Sequence, residues 1–310
     1  MDTAIGIDMG GTSIKLGLVH DGTLVEATKV PAAAEVTLSA RLDDIALRVR
    51  QLADKHGVVL NGIGLAFPGI VDAPNKRILS RYVKYPDADT VDLPLWAARE
   101  FGLPIAVEND ARAHLVGEWQ YGAGRGCDDL VLVTLGTGVG SAAMMDGNLI
   151  RGRHHIAGNL GGHMTVNLFG SVCNCGNIGC VESEASTWSL QRSLSRAPEF
   201  HGSALSLEGD VNYEKVFRHA ANGDALALKI KEHALRVWSL GILNLILAYD
   251  PMRVVIGGGV MRSGQAIIPQ VQKAIACDTW IENDAPEVVA AEQAEHAGIL
   301  GMAWLALNKR

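Results

Sequence analysis

The sequence contains no apolar run near the ~18 residues that a membrane span requires. Its first residues also lack the basic and apolar regions of a secretory signal. Basic residues are not in excess either, because 27 lysines and arginines stand against 34 aspartates and glutamates, which gives a net charge of −7. We therefore expect neither a membrane nor a nucleic acid as a partner. The composition is that of an ordinary globular protein, which we expect in the cytoplasm.

Two common nucleotide-binding signatures are missing as well. The chain has no G-x-x-x-x-G-K-[ST] sequence and no G-x-G-x-x-G that opens a βαβ unit with a helix directly after it. The P-loop and Rossmann readings are thereby excluded. Disulfide staples are not needed, because 310 residues are enough for two compact domains with their own cores.

The five cysteines are an odd number, and three of them fall within eight positions: Cys173, Cys175 and Cys180. In a reducing compartment such clustering indicates a metal before a disulfide. Cys127 and Cys277 stand alone, and each is predicted to be a buried, inert thiol.

The clustered cysteines and His163 have the composition of a closed tetrahedral Cys₃His zinc site on a glycine-rich loop, residues 163–180. The alternative is a disulfide, but Cys173 and Cys175 are too close in sequence for an easy bridge. A metal with four protein ligands has no open position, so this zinc is predicted to be structural.

Apolar strands alternate with helical patterns along the chain, which is typical of an α/β fold. A strand that ends in a glycine-rich turn occurs near Gly10 and again near Gly136. The repetition predicts an internally duplicated fold with a cleft between the halves. We place a small N-terminal domain at residues 1–115 and a large C-terminal domain at 116–296, and the last helix, about 297–310, is expected to rejoin the first domain.

Three glycine clusters follow apolar strands, and a backbone without Cβ atoms can approach a polyphosphate closely. Gly10, Gly11 and Thr12 form the first cluster, and Gly136, Thr137 and Gly138 form the second. Taken singly, each is equally an ordinary hairpin turn. The third cluster, Gly257, Gly258 and Gly259, would let an adenine and a ribose lie against the backbone where a strand meets a helix.

These motifs resemble those of the ROK family (repressor, open reading frame, kinase) over essentially the whole chain. Asp8-Met9-Gly10-Gly11-Thr12 with Lys15 is similar to its first phosphate motif, Leu135-Gly136-Thr137-Gly138-Val139-Gly140 to its second, and Ile256-Gly257-Gly258-Gly259-Val260 to its adenosine motif. The resemblance implies the actin-like (sugar kinase/Hsp70/actin) fold, ATP with Mg²⁺ in the cleft, and a homodimer. It also implies that Asp8 holds the water molecules bound to Mg²⁺.

Asp110 is the candidate general base, since a sugar kinase needs a group that accepts the proton of the attacking hydroxyl. Asn109-Asp110 lies between an apolar strand and a helix, so a helix N-cap is the alternative role for either residue. In the family, the matching pair holds the sugar and supplies the catalytic aspartate. Gly69 lies where the family places a small-residue loop against the sugar.

The segment Cys173-Asn174-Cys175-Gly176-Asn177-Ile178-Gly179-Cys180-Val181-Glu182 matches the Cys-x-Cys-Gly-x-x-Gly-Cys-x-Glu pattern of the family. The resemblance implies that Glu182 and His163 contact the sugar. One departure stands out, because the family reads Gly-Glu-x-Gly-His where this chain has Gly158-Asn159-Leu160-Gly161-Gly162-His163. The amide of Asn159 donates as well as accepts, so the preferred hydroxyl pattern can differ. Residues 80–85 also lack the Asn-Leu-x-Trp-like stretch expected near the sugar.

The sequence thus predicts an ATP-dependent hexose kinase that phosphorylates the 6-hydroxyl, with glucose as the default substrate. A sugar-sensing regulator is the alternative from another class, because part of the ROK family are repressors. That role would require a winged helix ahead of the first strand and a basic surface, and the sequence indicates neither. A kinase that uses polyphosphate is a third possibility, which the adenosine motif disfavours.

Overall fold

The computed structural model describes residues 2–10, 13–32, 37–80, 85–278, 285–293 and 295–308. Strands and helices alternate along the chain. The strands are β1 (Thr3–Met9), β2 (Ser13–His20), β3 (Thr23–Pro31), β4 (Gly62–Phe67), β5 (Val71–Asp72), β6 (Arg77–Ile78), β7 (Ile105–Asn109), β8 (Leu130–Leu135), β9 (Val139–Met145), β10 (Asn148–Leu149), β11 (Arg253–Gly257) and β12 (Glu287–Ala290). The helices are α1 (Leu38–His56), α2 (Leu93–Phe101), α3 (Asp110–Tyr121), α4 (Val181–Ala185), α5 (Thr187–Arg196), α6 (Tyr213–Ala221), α7 (Ala225–Tyr249), α8 (Gly264–Asp278) and α9 (Ala297–Leu307).

The chain divides into two compact units. The first unit comprises Met1–Gly126, Arg151–Ala157 and Glu292–Arg310, and the second comprises Cys127–Ile150 and Gly158–Ala291. Our sequence-based boundary at 115/116 falls inside α3, whereas the division in the structure follows that helix. No pattern in the sequence indicates that residues 151–157 belong with the first unit.

In the described residues of the first unit, five strands form one sheet in the order β3-β2-β1-β4-β7. The hairpin β1–β2 is antiparallel, and β4 and β7 extend the sheet in parallel to β1. Helix α1 covers it with apolar residues at helical spacing, namely Leu38, Leu42, Ile45 and Val49. The core of this unit lies between these helical residues and the sheet.

The second unit repeats this arrangement. Its described strands form a sheet in the order β10-β9-β8-β11-β12, again with an antiparallel hairpin followed by two parallel neighbours. Its core contains Trp238 of α7, which is buried and donates its indole N–H to the carbonyl of Ala185 at 2.8 Å. The predicted internal duplication of an α/β fold is therefore confirmed.

Helix α9 lies against the sheet of the first unit, far in sequence from the strands it covers. It approaches so closely that a Cβ atom on Gly6 would lie 1.9 Å from the carbonyl oxygen of Ile299, and one on Gly64 would lie 2.2 Å from that of Met302. Glycine in β1 and β4 therefore permits direct helix–sheet contact. Among the described residues, no helix combines the length and apolarity needed to cross a bilayer.

Candidate active site

Polar residues stand at the carboxyl ends of three neighbouring strands in the first unit. Asp8 lies near the end of β1, Gly69 follows β4, and Asn109 ends β7. Because these strands are parallel neighbours, their ends meet at one edge of the sheet. Ligands of open α/β sheets bind at this edge.

Asn109 and Asp110 divide the two roles that the sequence left open. Asn109 is the N-cap of α3, since its Oδ1 accepts the N–H of Arg112 at 3.3 Å. Its Nδ2 donates to the carbonyl of Gly69 at 3.0 Å and to Asp110 Oδ1 at 2.9 Å. Asp110 Oδ1 also accepts the N–H of Ala111 at 2.9 Å. Both hydrogen bonds thus fall on Oδ1, which leaves Oδ2 for a proton.

The buried setting of Asp110 raises its pKa toward neutrality. Burial raises the pKa of Asp110 to about 6, His114 opposes this shift, and the negative charge of Asp8 adds to it. His114 lies one helical turn after Asp110 on α3, and its Nε2 is 3.3 Å from Asp8 Oδ2. The sequence analysis missed His114, although its spacing of four residues on one helix predicts that it faces the same side as Asp110.

Asp8 is a buried carboxylate at the end of β1. Burial alone would raise the pKa of Asp8, but the charge and hydrogen bond of His114, with the charge of Lys15, hold it below the ordinary value. Lys15 is the cross-strand neighbour of Asp8 and donates to the carbonyl of Glu295 at 3.0 Å. The N–H of Gly10 closes the turn on the carbonyl of Ser13 at 3.0 Å. Gly11, Thr12 and the segment 81–84 lie outside the described residues.

The two glycine clusters of the second unit occupy adjacent strand ends. Gly136, Thr137 and Gly138 form the turn between β8 and β9, and the side chain of Thr137 is exposed. Strand β11 lies parallel to β8 and ends at Gly257. Gly258 has a φ of 91°, and a Cβ there would lie 2.3 Å from the carbonyl oxygen of Leu135, so only glycine fits.

Glu182 is tied to the glycine turn of the second unit. Its Oε2 accepts the N–H of Val139 at 2.9 Å, and its Oε1 accepts the indole N–H of Trp188 at 3.3 Å. The carbonyls of Gly136 and Thr137 accept the backbone N–H groups of Thr187 and Trp188. The carboxylate of Glu182 therefore positions the turn, which is a role that the sequence analysis did not foresee.

His163, Cys173, Cys175 and Cys180 come together as predicted, with all four ligand atoms within 4.8 Å of one another. Cys173 Sγ lies 3.6 Å from His163 Nδ1, and Cys175 Sγ lies 3.7 Å from Cys180 Sγ. A tetrahedral zinc with bonds of ~2.3 Å sets neighbouring sulfurs about 3.8 Å apart, so the donor set and spacing fit zinc. The cysteines of the chain are free. Cys277 is exposed, so our prediction of a buried thiol there is wrong.

Asn159 lies in the loop before His163 and is only 8% exposed. Its Oδ1 is buried and has no hydrogen-bond partner among the described residues. A buried acceptor without a donor is costly. The neighbouring carbonyl of Gly158 accepts the Ser141 hydroxyl at 2.6 Å, which fixes the loop next to Asn159.

Comparisons of this chain with family models, with related sequences and with solved structures agree with one another. A model of the ROK family matches residues 4–309. A glucokinase from Thermotoga maritima is 34% identical over 306 residues, which cover 96% of this chain and 95% of that protein. An N-acetylmannosamine kinase from Citrobacter koseri is 30% identical and covers 98% of each chain. The crystal structure of a ROK family glucokinase from Streptomyces griseus in complex with glucose and AMPPNP matches with a TM-score of 0.78 and 30% identity, covering 98% of this chain and 99% of that one.

Proposed function

This chain belongs to the ROK family, and we propose from that premise that it transfers the terminal phosphoryl group of ATP to the 6-hydroxyl of a hexose. It is an ATP-dependent sugar kinase with the actin-like fold of its relatives. The observation that carries the assignment is the Asp110 carboxylate, which lies at the end of β7 and is anchored through Oδ1.

Asp110 is the general base of the reaction. A base works best when its pKa lies near the working pH, and a pKa of about 6 leaves Asp110 mostly ionised at neutral pH. Its Oδ2 accepts the proton of the hydroxyl that attacks the phosphorus. Asn109 and Gly69 lie beside it and shape the sugar pocket. We expect kcat/KM to fall tenfold per pH unit below about 6.

ATP binding is assigned to the three glycine motifs. Its phosphates contact Gly10, Gly11, Thr12 and Lys15 of the first motif, and Gly136, Thr137 and Gly138 of the second motif. Gly257, Gly258 and Gly259 accommodate the adenosine. Asp8 is ionised at neutral pH because its pKa is lowered, so its oxygens suit the water shell of Mg²⁺. The ion supplies charge neutralisation at the transferred phosphoryl group.

Zinc holds the loop that carries the sugar contacts of the second unit. The structure turns Nδ1 of His163 toward Cys173, which leaves its Nε2 for a sugar hydroxyl. Glu182 and Asn159 complete this side of the pocket. The unpartnered Oδ1 of Asn159 would accept a hydrogen bond from the substrate, and the substrate choice among hexoses follows from such contacts.

We further propose that the protein is cytoplasmic and that it forms a homodimer, of which the resemblance implies the second. The sugars to be tested as substrates form a panel of glucose, mannose, fructose and N-acetylated hexosamines. This range is needed because one relative is a glucokinase and another an N-acetylmannosamine kinase.

The test is ADP release from ATP·Mg²⁺ across this panel, measured in parallel on the wild type and on Asp110→Asn, with zinc content as a check on folding. We expect one sugar to turn over and Asp110→Asn to lower kcat about 100- to 10,000-fold, the contribution of general base catalysis. A panel without turnover on folded, zinc-loaded protein would contradict the kinase assignment. Full activity of Asp110→Asn would leave the kinase standing and remove Asp110 as its base.

A further inference from the structure

Glu108 directly precedes the Asn109-Asp110 pair and is a buried carboxylate, only 1% exposed. Its Oε1 accepts the backbone N–H of Asn109 at 2.9 Å. The orientation of the peptide group that leads into Asp110 therefore depends on where the Glu108 side chain sits. A buried carboxylate is tolerated only with compensating charge, so its cationic partners control this orientation.

Two guanidinium groups supply that charge. Arg151 donates to Glu108 Oε2 from Nε at 2.9 Å and approaches it from Nη2 at 2.7 Å. Arg112, on the first turn of α3, places Nη1 3.5 Å from Glu108 Oε1. Arg112 is fully buried, whereas the side chain of Arg151 is 27% exposed.

Arg112 also binds the 151–157 segment from its other nitrogen. Its Nη2 donates to the carbonyl of Ala157 at 2.7 Å and to that of His155 at 3.1 Å. A second link comes from His155 itself, whose Nε2 lies 3.7 Å from Asp72 Oδ1. The 151–157 segment is thus held to the first turn of α3 through its backbone carbonyls and to β5 through His155.

We propose that Arg151 and Arg112 are positioning residues for the kinase reaction, which act through Glu108 on the Asn109-Asp110 pair. The two guanidinium groups hold the Glu108 carboxylate in place, and this carboxylate accepts the N–H of Asn109. The arrangement requires the 151–157 segment to keep its position against α3. The inference rests on the proposed function, because Asp110 is the base only if the chain is a kinase.

Arg151 is the residue to change, since it is partly exposed and carries two of the polar contacts of Glu108. In Arg151→Ala we expect kcat per folded enzyme to fall about 10- to 100-fold, because a small displacement of a reacting group has that effect. KM for ATP should stay within about twofold, since Arg151 makes none of the proposed ATP contacts. The matched control is Arg153→Ala, an exposed arginine two residues further on in the same segment.

A chemical rescue separates positioning from stability. Guanidinium ion at millimolar, non-denaturing concentration should restore part of the kcat of Arg151→Ala by occupying the vacated space beside Glu108, and it should leave the wild type and Arg153→Ala unchanged. Glu108→Gln should lose kcat without rescue, because the anion that binds guanidinium is gone. Should Arg151→Ala fail to fold, Arg151→Lys replaces it, with an intermediate kcat expected from a single ammonium group.

A lower melting temperature for Arg151→Ala with kcat within twofold of the wild type would overturn the inference, as would equal effects of Arg151→Ala and Arg153→Ala. Failure of the proposed function looks different, because the wild type itself would then show no turnover. The positioning role alone would be wrong if the wild type turns over sugar, Asp110→Asn loses activity, and Arg151→Ala keeps the activity of the wild type.

Discussion

Asn109 and Asp110, two adjacent residues at the end of β7, divide the capping of a helix and the presentation of a carboxylate between them. Asn109 caps α3 and donates to Asp110, so the carboxylate is held without having to cap the helix itself. The arrangement leaves a carboxylate in a buried setting, where the folded chain disfavours its ionised form. The role proposed for Asp110 therefore comes at the expense of stability.

The change Asp110→Asn tests that statement on the unfolding equilibrium. The pKa of Asp110 rises from 3.8 to about 6, so its destabilising effect is absent below pH 3.8 and complete above pH 6. Because solvent still reaches part of the largely buried Asp110 side chain, we expect the variant to gain only about 1 kcal/mol at pH 7.5, or a Tm about 2–4 °C higher. The gain should vanish near pH 3.5. Thermal unfolding at both pH values checks this, and an equal or lower Tm at pH 7.5 would contradict it.

Asp110 and the His163–cysteine cluster could be proposed from the sequence because short motifs contain them, and the four side chains of the cluster do come together. The sequence did not decide between Asn109 and Asp110 as the helix cap, since either side chain can cap. Nor did it indicate Glu108 and Arg151, which lie 43 positions apart and meet only in the folded chain. A charged residue at an otherwise apolar strand end, such as Glu108, indicates a buried ion pair, because a charged side chain is buried there only with a partner.

At the scale of elements, the loop that carries His163 and the three clustered cysteines has little core of its own. The loop exposes apolar side chains to solvent, among them Leu168, Phe169 and Val172. Two isolated bridges, Thr165 to Cys180 and Val172 to Ile178, give it little regular structure. Zinc coordination by His163 and the cysteines would supply the missing stability.

Cys175→Ser should therefore lower the bound zinc from about one per chain toward zero and reduce activity, since the loop positions His163. Metal analysis of the purified protein and thermal unfolding measure the two effects. The control is Cys277→Ser, an exposed cysteine outside the cluster, which should retain its zinc. Zinc content that is equally low in the wild type would speak against a structural metal.

The helices and strands themselves were largely predictable from the sequence, because α1 and α7 have strong helical patterns and β8 is an apolar run. The assignment of each element to one of the two units was not predictable in this way. Residues 151–157 have no periodicity of their own, and they join the first unit through two backbone carbonyls and the side chain of Arg151. Contacts of that kind leave no trace in a hydrophobic pattern.

At the scale of the molecule, α9 packs against the sheet of the first unit. Its apolar face is buried at Ile299, Leu300 and Met302. Another tie comes from Glu118 of α3, a buried carboxylate that accepts the N–H groups of Glu292 at 3.0 Å and of Gln293 at 2.7 Å. The buried position of Glu118 and its two backbone partners give it a structural role.

A chain that stops before Ala297 should fail to fold its first unit. Burial of Ile299, Leu300 and Met302 contributes about 1.5–3 kcal/mol each, a sum comparable to the net stability of about 5–15 kcal/mol of a whole domain. Soluble yield and hydrogen exchange of β1 and β4 would measure the loss. Removal of residues 308–310 alone is the control, and co-expression of a peptide spanning 292–310 should rescue the truncated chain. Normal exchange protection in the truncated chain would contradict the prediction.

The position of α9 also sets an order of events during synthesis. Gly6 and Gly64 emerge from the ribosome more than two hundred residues before the helix that rests on them. Most domains fold as they emerge, amino terminus first. Here the strands made first must wait with one face uncovered, while every residue of the second unit is already available. The yield of correctly folded first unit should therefore depend on the speed of translation and on binding by chaperones. A premature stop before α9 would prevent the folding of the part of the protein that was made first.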